Sequence, residues 1–387
     1  MKALKILICT NHSYMYWQFR RELTQELLKR GEVILSTPFV GHEDDLKKLG
    51  CRVLETDIDR RGINPFTDFK LFRFYWKLLK AEKPDLVITY SIKPNIYMGL
   101  SCRLQKVPYC ANVQGLGTAF QKQGLAQAAT VLYRTALKKA KTTFFENEEN
   151  AREFQRRHIQ NAESQTILSG AGVNLEYYTC QPYPHNDKIH FLYLGRIMKE
   201  KGIDELFYAA RKLNREKKAR QAPFPVPASD PRAATEIPPD NFDFMIDLAG
   251  FYEDEYKEQV ERLEQEGIAK FHGFQEDPRP CYSMADCVVL PSYHEGMSNV
   301  LLEAAATGRP IITSDIPGCR EAVCGKPEKN GLLVSVRDGE TLYEAMKSMM
   351  NASRQEREQM GRAGRTYMEE QFDKKLVVKE TLKNLLS

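Results

Sequence analysis

The sequence predicts an α/β fold of two domains, each built on a parallel β-sheet, and three observations carry that expectation. At 387 residues the chain is too long for one ordinary core and suits two domains of about 150 to 200 residues. In both halves, short β-branched and aliphatic runs alternate with segments of helical period, a pattern of parallel strands joined by right-handed crossovers. The composition, 42% hydrophobic and 28% charged, is that of a globular protein rather than a disordered or membrane-embedded one. Two Rossmann-like halves satisfy all three.

In the first half, strands are expected at 4–10, 33–37, 52–56, 85–90, 109–113, 142–146 and 166–169. Helices are expected near 15–30, 43–49, 66–82, 95–104, 124–140 and 148–158. The second half repeats the alternation, with strands near 190–195, 244–249, 270–272, 287–291, 310–314 and 332–336. Ligands in such sheets sit beyond the carboxyl ends of the strands. The link between domains is expected near 175–188, where Tyr177, Tyr178, Pro182, Tyr183 and Pro184 interrupt the regularity. This divides the chain into a first domain of 1–175 and a second of 185–367. Segment 222–240 holds six prolines and continues neither a helix nor a strand, so it reads as an exposed insertion in the second domain. A last helical stretch, 353–387, has no strand after it.

No apolar run approaches the roughly 18 residues that span a bilayer, and Met1-Lys2-Ala3 leads straight into a strand instead of a signal peptide's apolar core. A cytoplasmic protein is expected. Nine cysteines without a Cys-x-x-Cys pair indicate neither a disulfide framework nor a zinc site. His294-Glu295 begins like a zinc-protease helix, but Ser298 stands where the second histidine is required. The net charge of +4 is unevenly divided: residues 1–175 carry 27 Lys and Arg against 17 Asp and Glu, and residues 176–387 carry 29 against 35. A basic first half suits nucleic acid, an anionic membrane or a pyrophosphate-bearing substrate, or is ordinary solubilising charge.

The most informative stretch is Leu290 to Ala304, which ends a buried strand, opens a helix and spaces Glu295 and Glu303 eight residues apart. Ser298 reads as the helix cap, and the amides of Met297, Ser298 and Asn299 would face an anion at the helix N-terminus. A carboxylate one or two turns further in, Glu303, can accept hydrogen bonds from a ribose diol. Arg196 and Lys201, five residues apart after a strand end, could neutralise a diphosphate and the charge that develops as it leaves.

These residues belong to a longer pattern. Pro291-Ser292-x-x-Glu295-Gly296 and Leu301-Leu302-Glu303-Ala304 are followed by Thr307-Gly308-Arg309-Pro310, Gly318-Cys319-Arg320-Glu321 and Asn330-Gly331-Leu332-Leu333-Val334. The pattern resembles the donor-binding domain of retaining glycosyltransferases of family 4, whose hallmark is Glu-x7-Glu. Gly195-Arg196 with Lys201-Gly202 is similar to that family's Gly-Arg-x4-Lys-Gly segment. The resemblance covers nearly the whole chain and is most specific over 190–335. It is looser in the first half, where Tyr90-Ser91-Ile92-Lys93-Pro94-Asn95 and Asn112-Val113-Gln114-Gly115-Leu116-Gly117 are similar to members that build bacterial surface polysaccharides.

The resemblance implies a GT-B architecture: two Rossmann-like domains facing across a cleft, with a helix at about 368–387 returning to the acceptor-side first domain. It implies metal-independent, retaining transfer of a hexose or N-acetylhexosamine from a nucleotide-diphosphate sugar, UDP-linked, to a cell-surface saccharide on a polyprenyl diphosphate. The donor is a substrate, so no cofactor and no metal are expected, and nucleic acid is not a partner. Glu303 would hold the donor ribose, and Glu295 would lie near the transferred sugar. The Gly296 to Asn299 turn would meet its hydroxyls or the diphosphate, and Gly273 and Phe274 would meet the base. Arg196, Lys201 and Glu295 would be the catalytic groups.

The first domain departs from the family. Its first turn is Asn11-His12-Ser13 rather than Gly-Gly, with Ser13 as the expected cap, and Asn112 stands where many members carry a His. His12, Ser13, Lys93 and Asn112 remain acceptor-side candidates, and His12 is equally readable as structural. Helix 66–82 sets Lys70, Arg73, Lys77 and Lys80 on one face beside aromatics, a pattern for peripheral contact with an anionic membrane on the inner face. The alternative is a core-packed helix with Phe69, Phe72, Trp76 and Leu79 inside. Alternatives for the whole chain are a nucleotide-sugar 2-epimerase of the same fold and a catalytically silent scaffold or membrane-surface adaptor.

Overall fold

A computed structural model describes residues 3–59, 64–116, 120, 123–221, 242–325 and 328–386. The proline-rich segment 222–240 and Gly117 lie outside them. The chain forms two compact units, Met1–Gly172 with Lys374–Ser387, and Val173–Asp373.

The first unit runs β1 (Leu4–Cys9), α1 (Ser13–Leu28), β2 (Gly31–Thr37), α2 (Glu43–Leu49), β3 (Arg52–Glu55), α3 (Pro65–Glu82) and β4 (Leu86–Tyr90). A π-helical turn, Pro94–Met98, then leads into α4 (Gly99–Gln105), β5 (Tyr109–Val113), α5 (Gln123–Leu137), β6 (Thr143–Phe145), α6 (Glu148–Arg156) and β7 (Gln165–Ile167). The strands form a seven-stranded sheet in the order β3-β2-β1-β4-β5-β6-β7. Strands buried on both faces read as unbroken aliphatic runs, and β1 shows why. Leu7 and Cys9 enter the core on one face, Ile6 and Ile8 the core on the other, following the two-residue side-chain period.

The second unit begins with β8 (Ile189–Leu194), a 3-10 turn at Lys199–Lys201, α7 (Ile203–Gln221), β9 (Phe244–Ala249), α8 (Lys257–Gln265) and β10 (Ala269–Gly273). It continues with α9 (Arg279–Met284), β11 (Cys287–Leu290), α10 (Asn299–Ala306), β12 (Ile311–Ser314), β13 (Gly331–Val334), α11 (Gly339–Asn351) and α12 (Arg354–Gln371). Its sheet is ordered β10-β9-β8-β11-β12-β13, the doubly wound order in which connections diverge between the first and fourth strands. Here that point lies between β8 and β11. The start of α12 is fixed by a Ser353/Glu356 capping box, which satisfies two otherwise orphaned amides.

Three sequence expectations shift. The return to the first unit begins at Lys374, not near 368, because α12 runs unbroken to Gln371 and buries Met368 and Phe372 in the second unit's core. Only then does α13 (Lys374–Leu386) pack with the first unit. The division between units falls at Gly172/Val173 rather than within 175–188. That segment is strapped to the second unit: Arg365 Nη1 donates to the Tyr178 carbonyl at 2.9 Å, Arg309 Nη2 to Pro182 at 2.9 Å and Arg354 Nη2 to Tyr183 at 2.8 Å.

In α3 the stripe facing the core is Leu71, Tyr75 and Leu79, which packs toward the π-helical turn and α4. Phe69 is 59% and Phe66 80% exposed, so the Phe69, Phe72, Trp76, Leu79 stripe is not the buried one. Lys70, Arg73, Lys77 and Lys80 are exposed. Among the described residues, no helix is long and apolar enough to cross a membrane.

Candidate functional site

The candidate residues of the second half lie at or after the carboxyl ends of β8, β10 and β11, around the β8/β11 switch point, with Glu303 inside α10. After β8 the chain turns through Gly195 and Arg196 into the 3-10 turn, and Gly202 closes that turn at φ +70. A Cβ on Gly202 would lie 1.9 Å from the Pro291 carbonyl oxygen, so only glycine lets the β8 loop rest on the end of β11. The backbone bond from the Tyr293 amide to the Glu200 carbonyl, 2.9 Å, seals the contact.

This packing brings Lys201 to Glu295. Lys201 Nζ donates to Glu295 Oε1 at 2.5 Å, and Ser292 Oγ donates to the same oxygen at 2.9 Å. Beneath them the fully buried Tyr193 donates its hydroxyl to the Arg196 carbonyl at 2.5 Å, which fixes the exposed Arg196 at the strand end. Burial pushes the Tyr193 phenol up, and the nearby Glu295 charge adds to the rise. Lys201 and Glu295 are thus bonded, and Arg196 and Glu295 both act on the Tyr193 phenol.

Glu303 stands apart, in the second turn of α10, and is only 7% exposed. Its Oε2 accepts the Tyr282 hydroxyl at 2.8 Å, and the Tyr178 hydroxyl also bonds its carboxylate. Burial first, and the Glu303 charge second, push both phenols above their ordinary range. Sequence reasoning missed Tyr282, Tyr178 and Ser292 as partners. Ser292 was legible in principle as a hydroxyl directly after a strand end, whereas nothing local marks tyrosines 21 and 125 positions away from Glu303.

The helix N-terminus departs from expectation. The Ser298 amide donates to the Gly318 carbonyl at 2.8 Å, which removes it from the row of ligand-facing amides. The close approach has a steric cause: Gly318 has φ +82, and a Cβ there would meet the Gly296 carbonyl oxygen at 2.4 Å. Ser298 occupies the N-cap position of α10 without a side-chain cap bond, and the Met297 side chain lies in the core. At the end of β10, Gly273 has φ +67 and its carbonyl accepts the Gly250 amide at 2.8 Å. Phe274 is 46% exposed and stacks on Phe251, centroids 4.7 Å apart at 11°.

In the first unit the four candidates separate. Ser13 is fully buried, donating to Glu43 Oε1 at 2.8 Å and accepting the Val40 amide at 2.9 Å. It is the first residue of α1, and His12 takes the N-cap position instead, with no side-chain cap bond. Ser13 thus braces the loop before α2 and is not presented to a ligand. Lys93 and Asn112 meet at a cavity of about 220 Å³ at the ends of β1, β4 and β5, shared with Asn11 and Ser91. His12 does not line it. Lys93 Nζ pairs with Asp68 of α3 at 2.7 Å, and Asn112 Nδ2 donates to the Thr89 carbonyl at 3.2 Å. Among the described residues, no group of three His, Cys, Asp or Glu is disposed to hold a metal ion.

Two family models match the chain: residues 181–367 match "Glycosyl transferases group 1" and residues 5–147 match "Glycosyl transferase 4-like". Among curated relatives, the N,N'-diacetylbacillosaminyl-diphospho-undecaprenol α-1,3-N-acetylgalactosaminyltransferase of Campylobacter jejuni is 26% identical over 354 residues, 86% of each chain. The capsular polysaccharide glycosyltransferase CapM of Staphylococcus aureus is 26% identical over 195 residues, 50% of this chain and 45% of CapM. Among solved structures, Anabaena HepE in complex with UDP superposes with a TM-score of 0.75 at 15% identity, covering 99% of both chains. Sucrose-phosphate synthase of Thermosynechococcus elongatus superposes at 0.72 with 19% identity, covering 98% of both. Two doubly wound domains, Arg196, Lys201 and Glu295 in the connections after β8 and β11, and matches to glycosyltransferase models over both halves lead to one conclusion: the protein is a glycosyltransferase with a GT-B fold.

Proposed function

We propose that the protein is a retaining, metal-independent transferase that moves a hexose or N-acetylhexosamine from a UDP-sugar to a lipid-linked saccharide of the cell surface. The Lys201–Glu295 bond beside Arg196 carries the reading. On donor binding, Lys201 would leave Glu295 for a diphosphate oxygen, and Arg196 would supply a second, exposed cation. Two fixed cations stabilise the departing UDP, which is the task a metal performs elsewhere. Glu295, released from Lys201 but still held by Ser292, then accepts a hydroxyl of the transferred sugar. It orients that sugar and offsets positive charge at its anomeric carbon, without acting as a nucleophile. Glu303 takes the ribose diol, its carboxylate aimed by Tyr282 and Tyr178, and Phe274 with Gly273 receives the base. The HepE complexes with UDP and with UDP-glucose support the donor class. The diphospho-undecaprenol in the Campylobacter relative's name supports a polyprenyl-linked acceptor. The exposed Phe66 and Phe69 and the cations of α3 support a peripheral contact with anionic lipid.

The test is binding and then turnover. Nucleotide sugars are screened by thermal shift in EDTA and in magnesium, and hits are offered a polyprenyl-diphosphate saccharide. A UDP-sugar at 100 times its Kd should add about 2.7 kcal/mol of stability, equally in both buffers, and the product should keep the donor's anomeric configuration. Strict dependence on a divalent ion, or an inverted product, overturns the corresponding part. Epimer formation without acceptor would make the protein an epimerase.

A further inference from the structure

The loop that carries Glu295 is tied down two residues earlier, at Tyr293, which joins it to three other segments of the second unit. The Tyr293 amide donates to the Glu200 carbonyl at 2.9 Å, next to Lys201. The Tyr293 hydroxyl is shared between the two carboxylate oxygens of Glu205, at 2.7 and 2.9 Å. Glu205 lies in the first turn of α7, directly after the turn that carries Lys201. The third tie is Arg337, whose guanidinium carbon stands 4.8 Å from the centroid of the buried Tyr293 ring, within the range of a cation–π contact. Burial first and the Glu205 bond next push the Tyr293 phenol up, while the Arg337 charge pulls the other way.

Arg337 is an unusual residue for its place. Its φ of +60 is one that glycine takes freely and other L-residues take at a cost. The turn from β13 into α11 imposes it. Asp338, the next residue, caps α11 by accepting the Glu340 amide at 2.9 Å and the Thr341 amide at 3.1 Å. Gly339 then presses on Tyr208 of α7, where a Cβ would lie 2.6 Å from the ring. A glycine at 337 would make the same turn without strain, but it would leave nothing over Tyr293. Strain of this kind gathers at functional sites, and this residue lies one ring away from the Glu295 loop. We infer that Arg337 and Tyr293 are positioning residues for the transfer: Arg337 holds the Tyr293 ring against α7, and Tyr293 sets the loop so that Glu295 meets Lys201. The inference rests on the reading of Lys201 and Glu295 as the groups that act on the donor. A loop displaced by about 1 Å can cost on the order of a hundredfold in rate. Glu303, held separately in α10 by Tyr282 and Tyr178, keeps the donor bound meanwhile.

Two measurements on the full chain test it. Amide hydrogen exchange reads the loop directly: Arg337→Gly and Tyr293→Phe should each speed exchange over residues 291–299. The melting temperature of Arg337→Gly should be no lower than the parent's, because glycine takes this φ without strain. UDP release is then followed from UDP-glucose, UDP-galactose and their N-acetyl counterparts in turn, with water as the acceptor and UDP and the free sugar as products. Arg337→Gly should lower kcat about tenfold with KM held within about twofold, the mark of a contact that matters only in the transition state. Arg337→Lys, which keeps a cation over the ring, should recover most of the rate. In a Tyr293→Leu background Arg337→Gly should cost nothing more, since residues that act through one contact are not additive. Parental exchange over 291–299 in Arg337→Gly, a loss that repeats in full without the Tyr293 ring, or a KM that rises as kcat falls overturns the inference. A loosened loop in Arg337→Gly together with a parental rate in Glu295→Gln instead overturns the reading of Glu295 and leaves the clamp standing. A parent inert toward all four sugars overturns the UDP-sugar reading, and the exchange measurement then decides the clamp alone.

Discussion

Replacing Glu295 by Gln keeps the shape of the side chain and removes the charge that holds Lys201. The pair is 2.5 Å apart with side chains 22% and 14% exposed, so it is partly solvated and its loss forfeits about 0.5–1.5 kcal/mol of attraction. In the proposed mechanism this is the amount by which Glu295 competes with a diphosphate for Lys201. UDP should therefore bind Glu295→Gln as well as it binds the parent, or up to about tenfold tighter. Turnover should fall by roughly 30- to 1,000-fold, the equivalent of about 2–4 kcal/mol of stabilisation made in the transition state. Glu303→Gln should behave oppositely. That carboxylate is 7% exposed and accepts the Tyr282 hydroxyl at 2.8 Å, and UDP and intact donor both carry the ribose it would hold. Both ligands should lose about 1.5–3 kcal/mol of binding. Calorimetric titration of both variants with UDP and with the intact donor, followed by initial rates of transfer, separates the roles. If Glu295→Gln loses UDP affinity as severely as Glu303→Gln, or turns over at the parental rate, the division of labour is wrong.

Three further outcomes follow from the same geometry. Reversing Lys70, Arg73, Lys77 and Lys80 to Glu should reduce binding to anionic vesicles while sparing UDP, with the largest effect at low salt; vesicle binding equal to the parent would leave α3 a merely solvated face. Gly202→Ala should destabilise the second unit by about 2–4 kcal/mol and abolish donor binding, since its Cβ would lie 1.9 Å from the Pro291 carbonyl oxygen; a parental melting temperature would contradict the packing. Burial would raise the Asp247 carboxyl, but hydrogen bonds from His190 and His272, both 2.7 Å, outweigh it and hold the group below the usual carboxylate range. A depressed carboxylate contributes stability above its unfolded value of about 3.9 and loses it as pH falls through the lower folded value. Asp247→Asn should thus cost about 2 kcal/mol at neutral pH and flatten the fall in stability below about pH 4, measured by denaturant titration.

The sequence by itself determined the two parallel sheets, because fully buried strands are long aliphatic runs and helices keep their own period. It also placed Arg196 and Lys201 in the connection after β8 and Glu295 in the connection after β11, since a buried aliphatic run precedes each connection. It could not choose between two interleaved stripes of α3. Phe69, Phe72, Trp76, Leu79 and Leu71, Tyr75, Leu79 both have helical spacing, and packing against the π-helical turn and α4 selected the second. The same limit applies to Ser13, whose role depended on Glu43 and Val40 arriving from the next loop. Glu303 acquired its tyrosines, Lys201 its bond to Glu295, and Arg309 its five backbone carbonyls only in the folded units. Periodicity reports which face a residue shares with its chain neighbours. Which distant groups meet there is set by strand order, register and the few glycines that let loops touch, and those are properties of the tertiary structure.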